Sequence, residues 1–363
     1  MQKRKILILG EAGEFTRRIG VALAHVPEIE CVLGLERTRE AAQLAQELGV
    51  GFAPVTPGDP VSLREALAGV FAVINLRGPF EVANYPVAEH CADLGVHYLD
   101  PADGRDYVNG IERLARRAER SGSLIVAGAS VAPAVSAALV ELLAPEFDEI
   151  REIHVFLTPG LNDQRELATV RSVLSFASGS MRIRKRGRWK SAHWSTRPEK
   201  VDFPAPVGRR LGYLSDLPDL DLFPRYYDAQ TVIARAGLPS RVLNVLMSVL
   251  SWLRHRGAFE ELPRAAAWLI RALAALSRPG GASAGLRVLM RGTKGGEETA
   301  HVAYLIARAA DGPAIAAAPL IALVKKWVRA GVPRAGALPC IGLLRLEDLK
   351  AELLPYDIVL VRA

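Results

Sequence analysis

The sequence predicts an α/β protein with two sheets, a parallel one at the start of the chain and a second, mostly antiparallel one after it. Over residues 1–133 short apolar runs alternate with helical patterns, the rhythm of βαβ units on a parallel sheet. The periodicity then changes. Ile150–Thr158 and Gly179–Arg188 alternate apolar and polar residues, as strands with one covered face do. Half of the 363 residues are apolar, and this is too much chain for one ordinary core, so two domains are expected.

Ile6–Leu9 is a four-residue apolar run, the length of a buried parallel strand, and it enters Gly10 and Gly13 before helical spacing begins over Glu14–His25. Further strands are expected at Cys31–Leu35, Ala72–Asn75, His97–Leu99 and Leu124–Ala127, and helices at Arg39–Leu48, Leu63–Ala68, Tyr85–Leu94 and Tyr107–Ser121. The stretch MRIRKRGRWKSAHWSTRP at 181–198 is the most basic in the chain, with Trp189 and Trp194 interleaved. Its alternation and the turn at Gly187 read as a hairpin with a solvated polar face. Residues 241–277 read as two helices broken between Gly257 and Pro263. Arg254, His255, Arg256 and Arg264 interrupt them, so neither half supplies the ~18 charge-free apolar residues of a membrane span. Core packing is the favoured reading, with peripheral contact at a membrane surface as its alternative. Leu286–Arg291 and Glu298–Ala307 form a hairpin through GTKGG, and Pro319–Ala330 forms a late helix.

Composition narrows the classes of function. A net charge of +7 allows anionic ligands, but the basic residues are spread along the chain without the dense, aromatic-laced face of a nucleic-acid binder. Cys31, Cys91 and Cys340 are odd in number and far apart, which gives neither a disulfide framework nor a zinc site and fits a reducing, cytoplasmic location. His90, His97, His154 and His193 are scattered, so no metal is expected.

The first strand and its loop carry the chemistry. A tight turn out of a strand needs a residue without Cβ, which Gly10 provides, and Gly13 lets the backbone approach a pyrophosphate resting on amides at the next helix start. Gly10, Ala12, Gly13, Glu14, Phe15 and Thr16 are therefore the candidate phosphate loop, with Thr16 where a third small residue would ease helix–strand packing. Glu36 follows Gly13 by 23 residues, near the ~20 expected of the acid that bonds an adenosine ribose. A carboxylate there favours the 2′-hydroxyl of NAD. The adjacent Arg37 favours the 2′-phosphate of NADP, and the choice stays open.

Residues 63–108, above all NLRGPF, YPVAEHC and GVHYLDPAD, resemble the saccharopine dehydrogenase NAD(P)-binding family. VAGASVAPAVSAALVELLA at 126–144, PEKVDFPAPVGRR at 198–210 and GALPCIGLL at 336–344 follow the same pattern. The resemblance implies a Rossmann domain over 1–133, an inserted α/β substrate and dimerisation domain over 134–311 with a mostly antiparallel sheet, and a return to the first domain over 312–363. It implies an NAD(P)-dependent oxidoreductase that forms a homodimer and acts on a small molecule through a C=N, C=O or activated C=C bond. Asn75, Arg77, Gly78 and Pro79 resemble the loop under the nicotinamide half of the cofactor, and Gly128 follows the next strand on the same rim. Where the saccharopine-forming branch has Gly-Leu-Asp-Pro-Gly, this chain has GASVAP, with Ser130 near the position of the aspartate.

Tyr98 and Asp100 flank Leu99 and share a strand face, so they and Ser130 are the candidate catalytic residues. The structural alternative is Tyr98 as core and Asp100 as a helix cap. A protein that keeps the fold as a non-catalytic dinucleotide sensor or a membrane- or lipid-associated factor is the alternative function.

Overall fold

The chain, in a computed structural model, is described over residues 3–78, 80, 83–160, 180–193, 198–237 and 282–363. It divides into two compact units, Met1–Val135 with Ala316–Glu352, and Ser136–Ile315 with Leu353–Ala363. The helices expected over 241–277, together with Trp194 and Pro79, lie outside the described residues.

In the first unit, β1 (Arg4–Leu9), β2 (Ile29–Gly34), β3 (Gly51–Phe52), β4 (Ala72–Asn75), β5 (His97–Leu99) and β6 (Leu124–Ala127) form a parallel sheet in the order β3-β2-β1-β4-β5-β6. A late strand, Gly336–Pro339, adds to the free edge of β6, also parallel. Ile6, Leu7, Ile8 and Leu9 are fully buried, as a strand covered on both faces requires. Both β2 and β4 pair with β1, so the strand order reverses there, and ligands of open α/β sheets bind at the carboxyl ends of such strands.

The helices start and stop where local chemistry directs. α1 (Glu14–Ala24) follows Gly13, and α2 (Arg39–Leu48) begins where the Thr38 hydroxyl accepts from the Ala41 amide at 3.1 Å. α3 (Pro60–Ala66) is capped by Asp59, and α4 (Pro86–Leu94) starts with a proline in its first turn. The single helix expected at Tyr107–Ser121 is three pieces, α5 (Arg105–Gly110), a 3₁₀ turn over Ile111–Leu114 and α6 (Ala115–Ser121). The cysteines are buried free thiols, and His97 accepts the Leu124 amide at Nδ1, a structural bond.

In the second unit, α7 (Ser136–Leu143) precedes β7 (Glu149–Thr158), β8 (Ser180–Lys185), β9 (Arg188–His193), β10 (Glu199–Asp202) and β11 (Arg209–Leu214). A helix over Asp219–Tyr226 leads to β12 (Thr231–Ala236), β13 (Ala284–Lys294) and β14 (Glu297–Ala307). The sheet runs β10-β11-β12-β7-β13-β14, with β8 on β12 and β9 on β8, and is antiparallel except between β7 and β12. Over its described residues the basic stretch is the β8–β9 hairpin, with Met181, Ile183 and Ala192 buried and Arg182, Lys185, Arg186, Arg188 and Lys190 exposed. Gly295 and Gly296 turn β13 into β14 at φ values of 58° and 87°, which only a tight two-residue turn demands. Phe156, Val201, Phe203, Val207 and Ile306 form a core cluster.

The C-terminal tail departs from the expected return. Ile358–Arg362 pairs antiparallel with β14, and residues from Leu353 onward belong to the second unit. An alternating strand with an open edge to cover explains it: Ile358 to Arg362 hydrogen-bonds along the otherwise unpaired side of β14.

Asp219 is buried in this unit. The Ser136 hydroxyl donates to its Oδ1 at 2.5 Å, while Oδ2 has no hydrogen-bond partner, and desolvation pushes the carboxyl up to about 6. Its folded value lies above the unfolded one, so the folded state binds more protons and stability falls as pH rises from about 4 through 6, by about 3 kcal/mol. In Asp219→Asn, which keeps the acceptor for Ser136, the loss of stability in urea titrations between pH 4 and pH 7 is expected to shrink by that amount. An unchanged pH profile would show that the carboxyl titrates normally.

Candidate functional site

The glycines after β1 have different reasons to be glycine. A Cβ at Gly10 would lie 2.9 Å from Thr16 Oγ1 and 3.3 Å from Leu76 Cβ, so the turn packs against α1 and β4 too closely for a side chain. A Cβ at Gly13 would meet no atom within 4 Å, and its backbone is extended, a conformation any residue adopts. Among the described residues nothing requires a glycine at Gly13, which directly precedes the first turn of α1. That turn has no side-chain cap, so the amides of Glu14, Phe15 and Thr16 lack intrahelical acceptors and present the positive end of the helix. Ala12, Gly13 and Glu14 are exposed beside it. The loop therefore fits a phosphate group on both shape and charge.

Thr16 is buried and fills the space under Gly10. Close packing of α1 falls instead to Gly20, where a Cβ would meet Leu48 Cδ1 at 2.7 Å. The sequence reading missed Gly20, although its lone glycine inside a helical pattern was a visible signal.

Glu36 and Arg37 are exposed between β2 and the Thr38 cap. The Arg77 side chain lies on the same side of the sheet. Its Nε donates to Gly10 O at 3.3 Å, and its Nη2 donates to Gly34 O at 3.4 Å and to Val55 O at 3.1 Å. Burial lowers the guanidinium pKa, while Glu36 and Glu11 oppose that shift. Three carbonyls thus draw the Arg77 side chain toward β1, β2 and the segment after β3. Gly78 is exposed in the loop that follows.

A buried polar cluster lies at the ends of β4, β5 and β6. Asn75 Nδ2 donates to Tyr98 Oη at 3.0 Å, its Oδ1 accepts the Arg77 amide, and the Tyr98 and Tyr107 hydroxyls are 3.2 Å apart. Tyr85 Oη donates to Tyr107 O at 2.7 Å. Asp100 Oδ1 accepts the Ala102 and Gly128 amides at 2.9 Å each, and the Tyr98 and Tyr107 hydroxyls also favour its charged form. Burial pushes this carboxyl up to about 6 in spite of the two amides, and it pushes the Tyr98 hydroxyl well above its usual range. Tyr98 and Asp100 are both fully buried. Tyr85 and Tyr107 were not foreseen, since only tertiary packing brings them to Tyr98.

Gly128 has φ 83°, and a Cβ there would lie 2.7 Å from Pro133 Cδ. Ser130 follows, its amide donating to Gly128 O at 2.8 Å. Among the described residues no group of three His, Cys, Asp or Glu could hold a metal ion, and no helix is long and apolar enough to cross a membrane.

Residues 6–126 match the model of the saccharopine dehydrogenase NADP binding domain. The match covers a third of the chain. A probable mitochondrial saccharopine dehydrogenase-like oxidoreductase of Arabidopsis thaliana is 39% identical over 69 residues, a match spanning 19% of this chain and 15% of that protein. The saccharopine dehydrogenase (L-Glu forming) of Saccharomyces cerevisiae, solved as the apo, histidine-tagged protein, has the same fold at 15% identity. The alignment covers 99% of each chain with a TM-score of 0.70. An engineered D-amino acid dehydrogenase bound to NADP+ aligns over 98% of this chain and all of its own, at 14% identity and a TM-score of 0.50. The residues matched to that model are those of the parallel sheet in the first unit.

Contact between Gly10 and Thr16 is open to a double-mutant cycle. Gly10→Ala is expected to cost about 1–3 kcal/mol of stability in urea, with the loss smaller when Thr16→Ala removes the hydroxyl. Strictly additive effects would show that the two residues do not touch.

Proposed function

We propose that the chain is an NAD(P)-dependent oxidoreductase acting on a small molecule. The observation that carries this reading is the open space at Gly13 over the uncapped first turn of α1, in a domain of an NADP-binding family. Gly10, Ala12, Gly13, Glu14, Phe15 and Thr16 would hold the pyrophosphate, and Glu36 and Arg37 would flank the adenosine ribose. The loop from Asn75 through Pro79, with Gly128 and Ser130, would border the nicotinamide half. Asn75 serves there by tying Tyr98 to the Arg77 amide. When bound, the cofactor supplies hydride transfer to or from a C=N, C=O or activated C=C bond. A homodimer in the cytoplasm belongs to the same reading.

The substrate in this proposal is not saccharopine. Recognition of its ammonium and carboxylate groups needs fixed charged partners, and Ser130 in GASVAP offers no anion. The burial of Tyr98 and Asp100 favours a second reading, a dinucleotide sensor without turnover.

Gly13→Val tests the site. It is expected to stay folded, since a Cβ there meets no described atom within 4 Å, and to lose the quenching of tryptophan fluorescence by NADH and NADPH. A variant that binds both as the parent does would sink the loop assignment. NAD(P)H turnover is then measured with saccharopine beside aldehydes, imines and enoyl thioesters. Turnover of a panel member other than saccharopine supports the enzyme. Binding with silence across the panel supports the sensor.

A further inference from the structure

We infer that the β8–β9 hairpin docks the protein on an anionic phospholipid surface. The inference stands apart from the dinucleotide reading, and it places membrane contact on a different element from residues 241–277. What carries it is where the charge lies. Arg182, Arg184, Lys185, Arg186, Arg188 and Lys190 put six cations into nine residues, and no Asp or Glu occurs over 180–193. Taking those six from the 46 lysines and arginines leaves 40, against 39 acids in the chain, so the net charge of +7 is almost wholly the hairpin's. Basic residues elsewhere are matched in number by acids.

The fold presents this charge outward. Arg186 and Gly187 form the turn at φ values of 51° and 73°, the left-handed pair of a two-residue hairpin turn. The turn is pinned to the second unit, because the Arg186 amide donates to Thr231 Oγ1 at 3.0 Å and the Gly187 amide to Gln230 O at 2.8 Å. Arg182 and Arg184 stand on one face of the ribbon with Trp189 directly across from Arg184, while Met181 and Ile183 are buried on the other face. Among the described residues Lys185, Arg186, Arg188 and Lys190 are exposed and form no ion pair. Trp189 is 42% exposed, with the Arg182 guanidinium 5.5 Å from its ring centroid. A convex tip that is cationic on several sides offers no groove for the fixed carboxylates of a partner protein. A single indole among its described residues gives no platform for successive bases. A lipid surface, in contrast, supplies anions that move to meet the charges, and an indole lies readily at the level of the head groups.

Flotation of the full chain with vesicles tests this, using phosphatidylcholine alone or mixed equally with phosphatidylglycerol. The parent is expected to float with the mixed vesicles only, and to be released by raised salt. The triple variant Lys185→Gln, Arg188→Gln, Lys190→Gln is expected to bind about 100-fold more weakly, at roughly 5-fold per cation near such a surface. A control triple at exposed positions elsewhere, Arg116→Gln, Arg329→Gln, Arg334→Gln, lowers the net charge equally and is expected to bind as the parent does. Thermal melts check folding. Should the hairpin triple fail to fold, Arg186→Gly, which suits the positive φ of that position, is expected to cost roughly 5-fold. A parent that ignores the mixed vesicles, or floats equally with phosphatidylcholine alone, would overturn the inference. So would equal losses in the two triples, or binding unchanged in the hairpin variants. Binding of a single-stranded oligonucleotide without binding of the mixed vesicles would overturn it in favour of a nucleic acid.

Discussion

The Asp100 carboxyl accepts the Ala102 and Gly128 amides, and the path of the chain along the carboxyl rim depends on those two bonds. They hold the end of β5 to the loop after β6, where the Asp100 amide and carbonyl also pair with Val126 O and the Ala129 amide. Gly128 is thereby drawn into a positive φ against Pro133. The Cys340 amide donates to Ala127 O, so the late strand Gly336–Pro339 seats on the same rim. A fully buried carboxylate is costly, and two amide donors offset only part of the desolvation, as its raised pKa shows. The group is retained where it organises three segments at once.

On the other side of the strand reversal, side-chain to main-chain bonds do the corresponding work. Arg77 reaches from the end of β4 to carbonyls at the ends of β1 and β2 and after β3, while Asn75 accepts the Arg77 amide and bonds Tyr98. Charge and backbone are thus coupled across the rim. The phosphate loop sits between these two anchored regions. Within it Gly10 serves internal packing, Thr16 fills the space below it, and Gly13 leaves room that the chain itself does not use.

The second unit is built on different terms. Its longest strands, β13 and β14, have 11 residues each, against four in β4 and β6, because an antiparallel hairpin extends without a helical crossover. A register shift between Arg291 and Gly292 brings Gly292 so near Glu149 that a Cβ would lie 1.9 Å from its carbonyl oxygen. Phe156 and Phe203 meet edge to face at 5.3 Å in the core, and Phe156 also occupies the space beside Gly212.

The sequence by itself determined the parts that depend on local spacing. The parallel strands of the first unit, the glycine turn before α1, the Gly295–Gly296 hairpin and the change to antiparallel pairing were legible because period, burial and turn chemistry are short-range properties. Only the tertiary structure decided what those residues face. It buried Tyr98 against Asn75 and Tyr107, turned Arg77 toward β1 and β2, brought Ser136 to Asp219, and carried Ile358–Arg362 to the edge of β14. β3 was missed because its two residues are too short for any periodicity, and they are a strand only through pairing with β2. These outcomes join residues from nine to 83 positions apart in sequence, and desolvation acts on the assembled environment. No local pattern encodes either.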